Sequence, residues 1–206
     1  MDRSLLIRHG HSVYMEKGLT GGWTDLPLTA LGQHQARCTG RYLAENRNDL
    51  SEYDFYCSTL LRASETASIM GSLISLEPRG SAALREIHNG QAAYCTRREA
   101  QKMEHPLTEP VMDWVPYPDA ESWRVFRERV IAFMERISGE KILLVAHSNV
   151  IITIIHWWLE LDESTASRIS FDIDPCSITL LRTNRWQEKT LSILNRTAHL
   201  IPYPAP

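Results

Sequence analysis

The chain predicts an α/β fold, a three-layer α/β/α sandwich around a largely parallel central sheet. Two observations carry that expectation. Short apolar runs of strand length alternate with longer stretches of helical spacing. Polar residues able to do chemistry, Arg8-His9 and His147-Ser148, close two of those runs, and open α/β sheets hold their ligands beyond the carboxyl ends of strands. With 206 residues, 43% of them hydrophobic, the sequence fits one domain, residues 1–206, with a core of its own.

The elements follow in order. Residues 4–8 read as a strand buried on both faces, built on Leu5-Leu6-Ile7. Residues 28–47 have helical spacing, with Leu31, Ala36, Tyr42 and Leu43 on or near one stripe and Thr29 placed to cap the start. A second strand spans 54–57, a second helix 60–74 and a further strand 78–83. From 85 to 119 the pattern loosens, with Pro106, Pro110, Pro116 and Pro118 breaking it. Residues 87–119 are expected to leave the core as a lid-like excursion carrying one helix near 96–103. An amphipathic helix over 122–137, a buried strand over 141–146 and a helix over 149–161 follow. Strands at 177–182 and 189–194 flank a turn at Asn184.

Composition narrows the function. A net charge of -3 argues against nucleic acid and anionic membranes as partners, both of which favour basic surfaces. Cys38, Cys57, Cys95 and Cys176 lie far apart with no C-x-x-C pair, the pattern of reduced thiols in a cytoplasmic protein. Strand-like sequence from Ser4 leaves no room for a signal peptide. The most apolar stretch, 150–161, is interrupted by His156 and is too short to span a bilayer. No heptad or edge-strand signal assigns an oligomeric state.

The chemistry is concentrated in Arg8-His9-Gly10. Arginine presents a planar fork of donors to phosphate oxygens and stays charged. Histidine near neutrality keeps one nitrogen free as a nucleophile, and Gly10 lets the backbone approach a ligand closely. Four further segments accompany it: Gly22-Trp23-x-Asp25-x-Pro27-Leu28-Thr29-x-x-Gly32; Ser58-Thr59-Leu60-Leu61-Arg62-Ala63 with Thr66-Ala67; Glu86-x-x-x-Gly90; and Val145-Ala146-His147-Ser148.

Taken in this order, together with the ending Leu194-Asn195-Arg196-Thr197-Ala198-His199-Leu200, these segments resemble the histidine phosphatase superfamily, also called phosphoglycerate mutase-like. The resemblance implies that His9 takes a phosphoryl group onto a ring nitrogen. Arg8, Arg62 and His147 would hold its non-bridging oxygens, with Ser12, Gly21, Gly22 and Ser148 lining the phosphate site. Glu86 falls at the proton-donor position, where Arg85 beside it would oppose a raised pKa. Glu65, Glu99 and His88 compete for the same role. The resemblance calls for no metal and no other cofactor, and for a small phosphate ester as substrate.

Two reactions remain open within the family. A phosphatase passes the phosphoryl group from His9 to water; a cofactor-dependent phosphoglycerate mutase passes it to a second hydroxyl. The mutase pattern Glu-x-x-Tyr-Gly has Asn89 at its third step here, and Met15 stands where mutases carry Asn, so hydrolysis is the reading taken. Gln91-Ala92-Ala93 and Ser148-Asn149 depart from the phosphatase pattern too, which leaves the substrate open. A catalytically silent phosphate- or partner-binding domain and a zinc site built on His9-x-His11 are the alternatives from other classes. His34, His105, His156 and His199 read as surface or structural, and Trp157-Trp158 as packing.

Overall fold

The computed structural model describes residues 2–47 and 49–200. Its frame is a six-stranded mixed sheet flanked by helices, in the order β3-β2-β4-β1-β5-β6. The strands are β1 (Arg3–Arg8), β2 (Asp54–Ser58), β3 (Arg79–Ser81), β4 (Lys141–Ala146), β5 (Ile178–Thr183) and β6 (Lys189–Arg196). The first four run parallel; β5 turns back antiparallel on β1, and β6 on β5. The helices are α1 (Val13–Glu16), α2 (Ala30–Asn46), α3 (Leu61–Ile74), α4 (Arg97–Gln101), α5 (Trp123–Arg136), α6 (Ser148–Trp158) and α7 (Glu163–Ala166).

Strand periodicity builds the two apolar layers. Leu6, Ile142 and Leu144 point to one face, where Phe126 and Val130 of α5 and Val150, Ile151 and Ile154 of α6 cover them. Leu5, Ile7, Leu143 and Val145 point to the other, against Leu43 of α2 and Ala63, Ala67 and Met70 of α3. Because β1 and β4 are covered on both faces, they read as continuous apolar runs rather than alternating ones. Among the described residues no helix is long and apolar enough to cross a membrane.

Several boundaries carry a visible cause. Thr29 does cap α2, its hydroxyl accepting a hydrogen bond from Gly32 N at 3.1 Å. Thr96 and Glu99 form a reciprocal capping box on α4. The run 149–161 begins one residue early and stops at Trp158, because Glu160 takes a left-handed conformation (φ 56°) and the chain folds back. The expected strand 78–83 is only Arg79–Ser81; Ala82–Leu84 wind into a 3-10 turn that buries Leu84. Between Leu84 and Trp123 regular structure is limited to 3-10 turns and the five residues of α4.

Gly10 serves packing as well as the site. A Cβ there would lie 2.6 Å from Gly32 O, and one on Gly32 would lie 2.0 Å from His11 O. The loop after β1 thus rests directly on the first turn of α2, which is what the paired glycines permit. Thr29 ties the same junction, through its hydroxyl on His11 O and on His11 Nδ1. Thr29→Ala is expected to cost about 1 kcal/mol, the usual worth of an N-cap. Urea denaturation checks this, with Thr29→Ser restoring most of the loss.

Candidate active site

Sheet register assembles the site. Arg8 pairs with Ala146 and Cys57 with Val145, so His9, His147 and Ser58 emerge side by side from β1, β4 and β2. The backbone N–H of His9 donates to Ala146 O at 2.9 Å, and the two imidazoles lie 5.1 Å apart, centroid to centroid. This is the carboxyl edge of the parallel strands, and α6 starts from it with His147 as N-cap, directing its positive dipole end at the pocket.

His9 is 1% exposed, and its surroundings fix its tautomer. Nδ1 is 2.8 Å from Gly10 O, a carbonyl that can only accept, so Nδ1 carries the proton. Nε2 receives Nε–H of Arg62 at 3.2 Å, so in the neutral ring Nε2 carries the lone pair. Burial first, then Arg62 and Arg8, hold the His9 pKa well below the usual histidine range. The ring is therefore neutral, with its unprotonated Nε2 on the Arg62 guanidinium and Arg8 near enough to act on it electrostatically.

Arg62 is equally buried, although it is a long charged side chain on a helix. Its Nη1 donates to Thr24 O and its Nη2 to Gly22 O, both at 2.8 Å, and its guanidinium lies 5.0 Å from the Tyr14 ring centroid. Arg8 donates through Nη1 to Ile173 O, while its buried Nε has no partner. Among the described residues neither arginine has a carboxylate within ion-pair distance. Two such cations side by side call for an anion.

His147 is fully buried; its Nε2 is 2.8 Å from Ser58 Oγ, and its Nδ1 is unpartnered. Burial, then Arg62 and His9, push its pKa well down. Glu86 is 6% exposed and accepts Ile87 N–H on Oε1 at 2.9 Å and Asn149 N–H on Oε2 at 3.2 Å. Burial raises its pKa, against the pull of those two N–H groups and of Arg62 and Arg8. Arg85 is not the opposing charge: it bonds Thr59 Oγ1 and lies 4.8 Å from the Trp23 ring centroid.

The remaining predicted residues separate into backbone contributors and props. Gly22 offers its carbonyl to Arg62 at φ +55°, and a Cβ there would lie 2.3 Å from Asn89 Oδ1. Gly21 packs against the Tyr14 ring, and Ser148 is the first residue of α6. The Ser12 hydroxyl is directed to Pro27 O at 2.9 Å and Leu26 O at 3.3 Å, so it ties the loop before α2. The rival proton donors are engaged elsewhere. Glu65 accepts Leu28 N–H, Glu99 caps α4, and His88 bonds Asp119 O with its ring edge-on to Trp23. His11 Nδ1 is held by Thr29.

Sequence reasoning assigned no role to four residues that matter. Tyr14 stacks on Arg62 and meets His9 edge-on. Thr66 accepts Gly10 N–H at 3.1 Å, Ser58 bonds His147, and Asn89 accepts Trp23 N–H at 2.9 Å to shape the 20–24 loop. Ser58 and Thr66 lie inside the Ser58–Ala67 motif; Tyr14 lies on a four-residue helix too short to show periodicity.

Residues 4–196 match the model of the histidine phosphatase superfamily, branch 1. A Hydrogenobacter thermophilus protein named "Putative phosphoserine phosphatase 2" is 31% identical over 163 residues, covering 75% of this chain and 77% of its own. A 2,3-bisphosphoglycerate-dependent phosphoglycerate mutase of Rhizobium meliloti is 31% identical over 181 residues, covering 80% and 82%. The crystal structure of the α-ribazole phosphatase from Shigella flexneri superposes with a TM-score of 0.79 at 26% identity, over 98% of this chain and all of that one.

Proposed function

The chain belongs to branch 1 of the histidine phosphatase superfamily, and from that premise we propose that it hydrolyses a small phosphate monoester through a phosphohistidine, without a metal ion. The observation that carries the reading is His9 itself. A neutral imidazole, its proton fixed on Nδ1 by Gly10 O, presents an Nε2 lone pair beside two arginines that lack carboxylate partners.

The steps follow from those groups. The phosphate displaces the Arg62–His9 bond and lies between Arg8, Arg62 and His147, whose unpartnered Arg8 Nε and His147 Nδ1 supply donors. His9 Nε2 attacks phosphorus in line; the P–O bond to the leaving group breaks as the N–P bond forms. Positive charge already in position stabilises the spreading negative charge, which is most of what phosphoryl transfer asks of a protein. Glu86, kept protonated to higher pH by burial, gives its proton to the leaving alkoxide. Its carboxylate then takes a proton from water as that water attacks phosphorus, which releases orthophosphate and restores His9. Residues 87–119 would cover the pocket during these steps. The guanidinium contact on Nε2 also suits an anion better than the zinc that His9-x-His11 could suggest.

Relatives of similar identity include a phosphatase by name and mutases, so the fate of the phosphoryl group needs its own argument. Asn89 favours hydrolysis: in place of the mutase tyrosine, its short side chain binds Trp23 N–H and Thr20. Turnover of a panel of phosphorylated metabolites in EDTA, with acid-labile phosphoenzyme trapped in parallel, tests the proposal. Isomerisation of 3-phosphoglycerate without phosphate release would overturn it in favour of the mutase.

Glu86→Gln gives a sharper test of the acid. Both carboxyl oxygens accept backbone N–H groups, so the amide nitrogen must face a donor and the proton is lost. Alkyl phosphate turnover should fall by about 10²- to 10⁴-fold, the range for a general acid. With p-nitrophenyl phosphate the loss should be far smaller, because its phenolate leaves without help. For the wild type, kcat on alkyl esters should decline as pH rises through the elevated Glu86 pKa, and the variant should lack that limb. An equal loss on both substrates would remove Glu86 from the acid role.

A further inference from the structure

One segment of the sequence has no part in the chemistry above: the ending Leu194-Asn195-Arg196-Thr197-Ala198-His199-Leu200. It starts in β6, at the edge of the sheet, and reaches the turn 173–177 that leads into β5.

That turn is built onto the catalytic strand. Cys176 is buried and left-handed (φ 56°), and its N–H donates to Arg8 O at 3.0 Å. Ile173, 5% exposed, belongs to the apolar layer under α5 and α6, and its carbonyl accepts Arg8 Nη1. Among the described residues Ile173 O is the single protein acceptor of the Arg8 guanidinium. With Nη1 held there, Nε and Nη2 form the free edge of the fork, the pair that meets two phosphate oxygens side-on. Nε is buried and makes no hydrogen bond within the protein. The direction of that edge is therefore set by where Ile173 O stands.

Asn195 fixes the residue after it. Its Oδ1 accepts Asp174 N–H at 2.6 Å, and its Nδ2 donates to Asp174 Oδ2 at 2.9 Å. A bulge in β6 makes this reach possible. Between the pairs Ile178–Arg196 and Leu180–Ile193, Thr179 alone faces both Leu194 and Asn195, and Asn195 takes φ 50°. Bulges re-aim a side chain in this way, and asparagine is among the few residues that enter the left-handed region readily. His199 ties the other end of the turn. Its Nε2 lies 3.0 Å from Thr39 Oγ1, which is itself 3.3 Å from Cys176 O. Held by Asn195, the Asp174 carboxylate makes no ion pair with Arg8.

Resting on the reading of Arg8 as a phosphate ligand, we propose that Asn195 is a positioning residue for the phosphate site: through Asp174 it fixes Ile173 O, and through Ile173 O it aims the free edge of Arg8. Asn195 touches neither substrate nor His9. Its effect reaches the site through one backbone carbonyl and one guanidinium.

Two kinds of variant test this. Asn195→Gly keeps the left-handed backbone accessible and deletes the amide. It should weaken orthophosphate binding, measured by isothermal titration, by about fivefold or more, part of what one charge-assisted bond carries. With p-nitrophenyl phosphate, which needs no acid, kcat/KM should fall by about 10- to 100-fold, up to the effect of a misplacement of roughly 1 Å. In an Arg8→Ala background the same substitution should add no more than about twofold, within the error of such cycles. A merely structural asparagine would give full losses in both backgrounds. Asn195→Asp sets two carboxylates against each other and should mimic the glycine variant; combined with Asp174→Asn it rebuilds both bonds with the side-chain donor reversed, and should restore most of the phosphate affinity. This pair carries the test if Asn195→Gly does not fold. Unchanged orthophosphate affinity in Asn195→Gly and Asn195→Asp, additive losses in the Arg8→Ala background, or no rescue by the exchanged pair would each overturn the proposal. A wild type that binds orthophosphate yet hydrolyses no ester would sink hydrolysis alone, since the affinity comparison does not need turnover.

Discussion

Replacing His9 by alanine is expected to lower phosphate monoester turnover by roughly 10³-fold or more, the scale on which loss of a covalent nucleophile acts, and to abolish the phosphoenzyme. The expectation rests on a division of labour within the pocket. Arg8, Arg62 and His147 can hold a phosphate without His9, but no other group presents an unprotonated nitrogen in line with phosphorus. His147 is no substitute, since its Nε2 is already bonded to Ser58. Removing His9 also frees Arg62 Nε for the ligand. His9→Ala should therefore bind orthophosphate at least as well as the wild type while failing to turn over ester. Isothermal titration beside a steady-state assay separates the two effects. Unchanged turnover across a broad panel would sink covalent catalysis at His9, and the silent phosphate-binding alternative would then lead.

How much of this could be read from the sequence depended on the length scale of the cause. The strands 4–8 and 141–146 are legible because both faces are covered, so a plain apolar run marks them. Helices with their own caps, at Thr29, Thr96 and Ser122, are legible to within two residues at their starts, because a cap is a local signal. The pairing of β1 with β4, which puts His9 beside His147, 138 positions later in the chain, is a long-range register that no window contains. The same limit explains Ser12. The motif position suggested a phosphate contact, but its hydroxyl reaches Leu26 and Pro27 carbonyls only because the loop before α2 folds back on it. Glu86 shows the converse. A lone loop glutamate carries almost no signal, and its burial arises from the fold around it, with Trp23 Nε1 and Arg129 both donating to its carbonyl.

Arg62→Lys keeps the charge and tests geometry alone. The guanidinium spans three acceptors in different directions: His9 Nε2, Thr24 O and Gly22 O. An ammonium on a flexible stem cannot reach all three, and burial beside Arg8 disfavours its charged form. The loss should appear twice. Unpaired carbonyls in the 22–24 loop should lower stability by about 2–3 kcal/mol, the cost of leaving buried partners of a charged donor unsatisfied. kcat/KM should fall by about 10²- to 10³-fold, the price of one misplaced donor at a developing charge. Arg8→Lys is the control, because Arg8 is only half-buried and bonds a single protein acceptor, Ile173 O. It should lose activity with a much smaller change in Tm. If the two lysine variants proved equally stable, Arg62 would be a phosphate ligand only. If Arg62→Lys were destabilised but fully active, the guanidinium would be a structural strut, and charge stabilisation would fall to Arg8 and His147. The predicted combination, a large loss in both readouts at Arg62 alone, follows from one side chain that builds the loop and binds the His9 Nε2 lone pair.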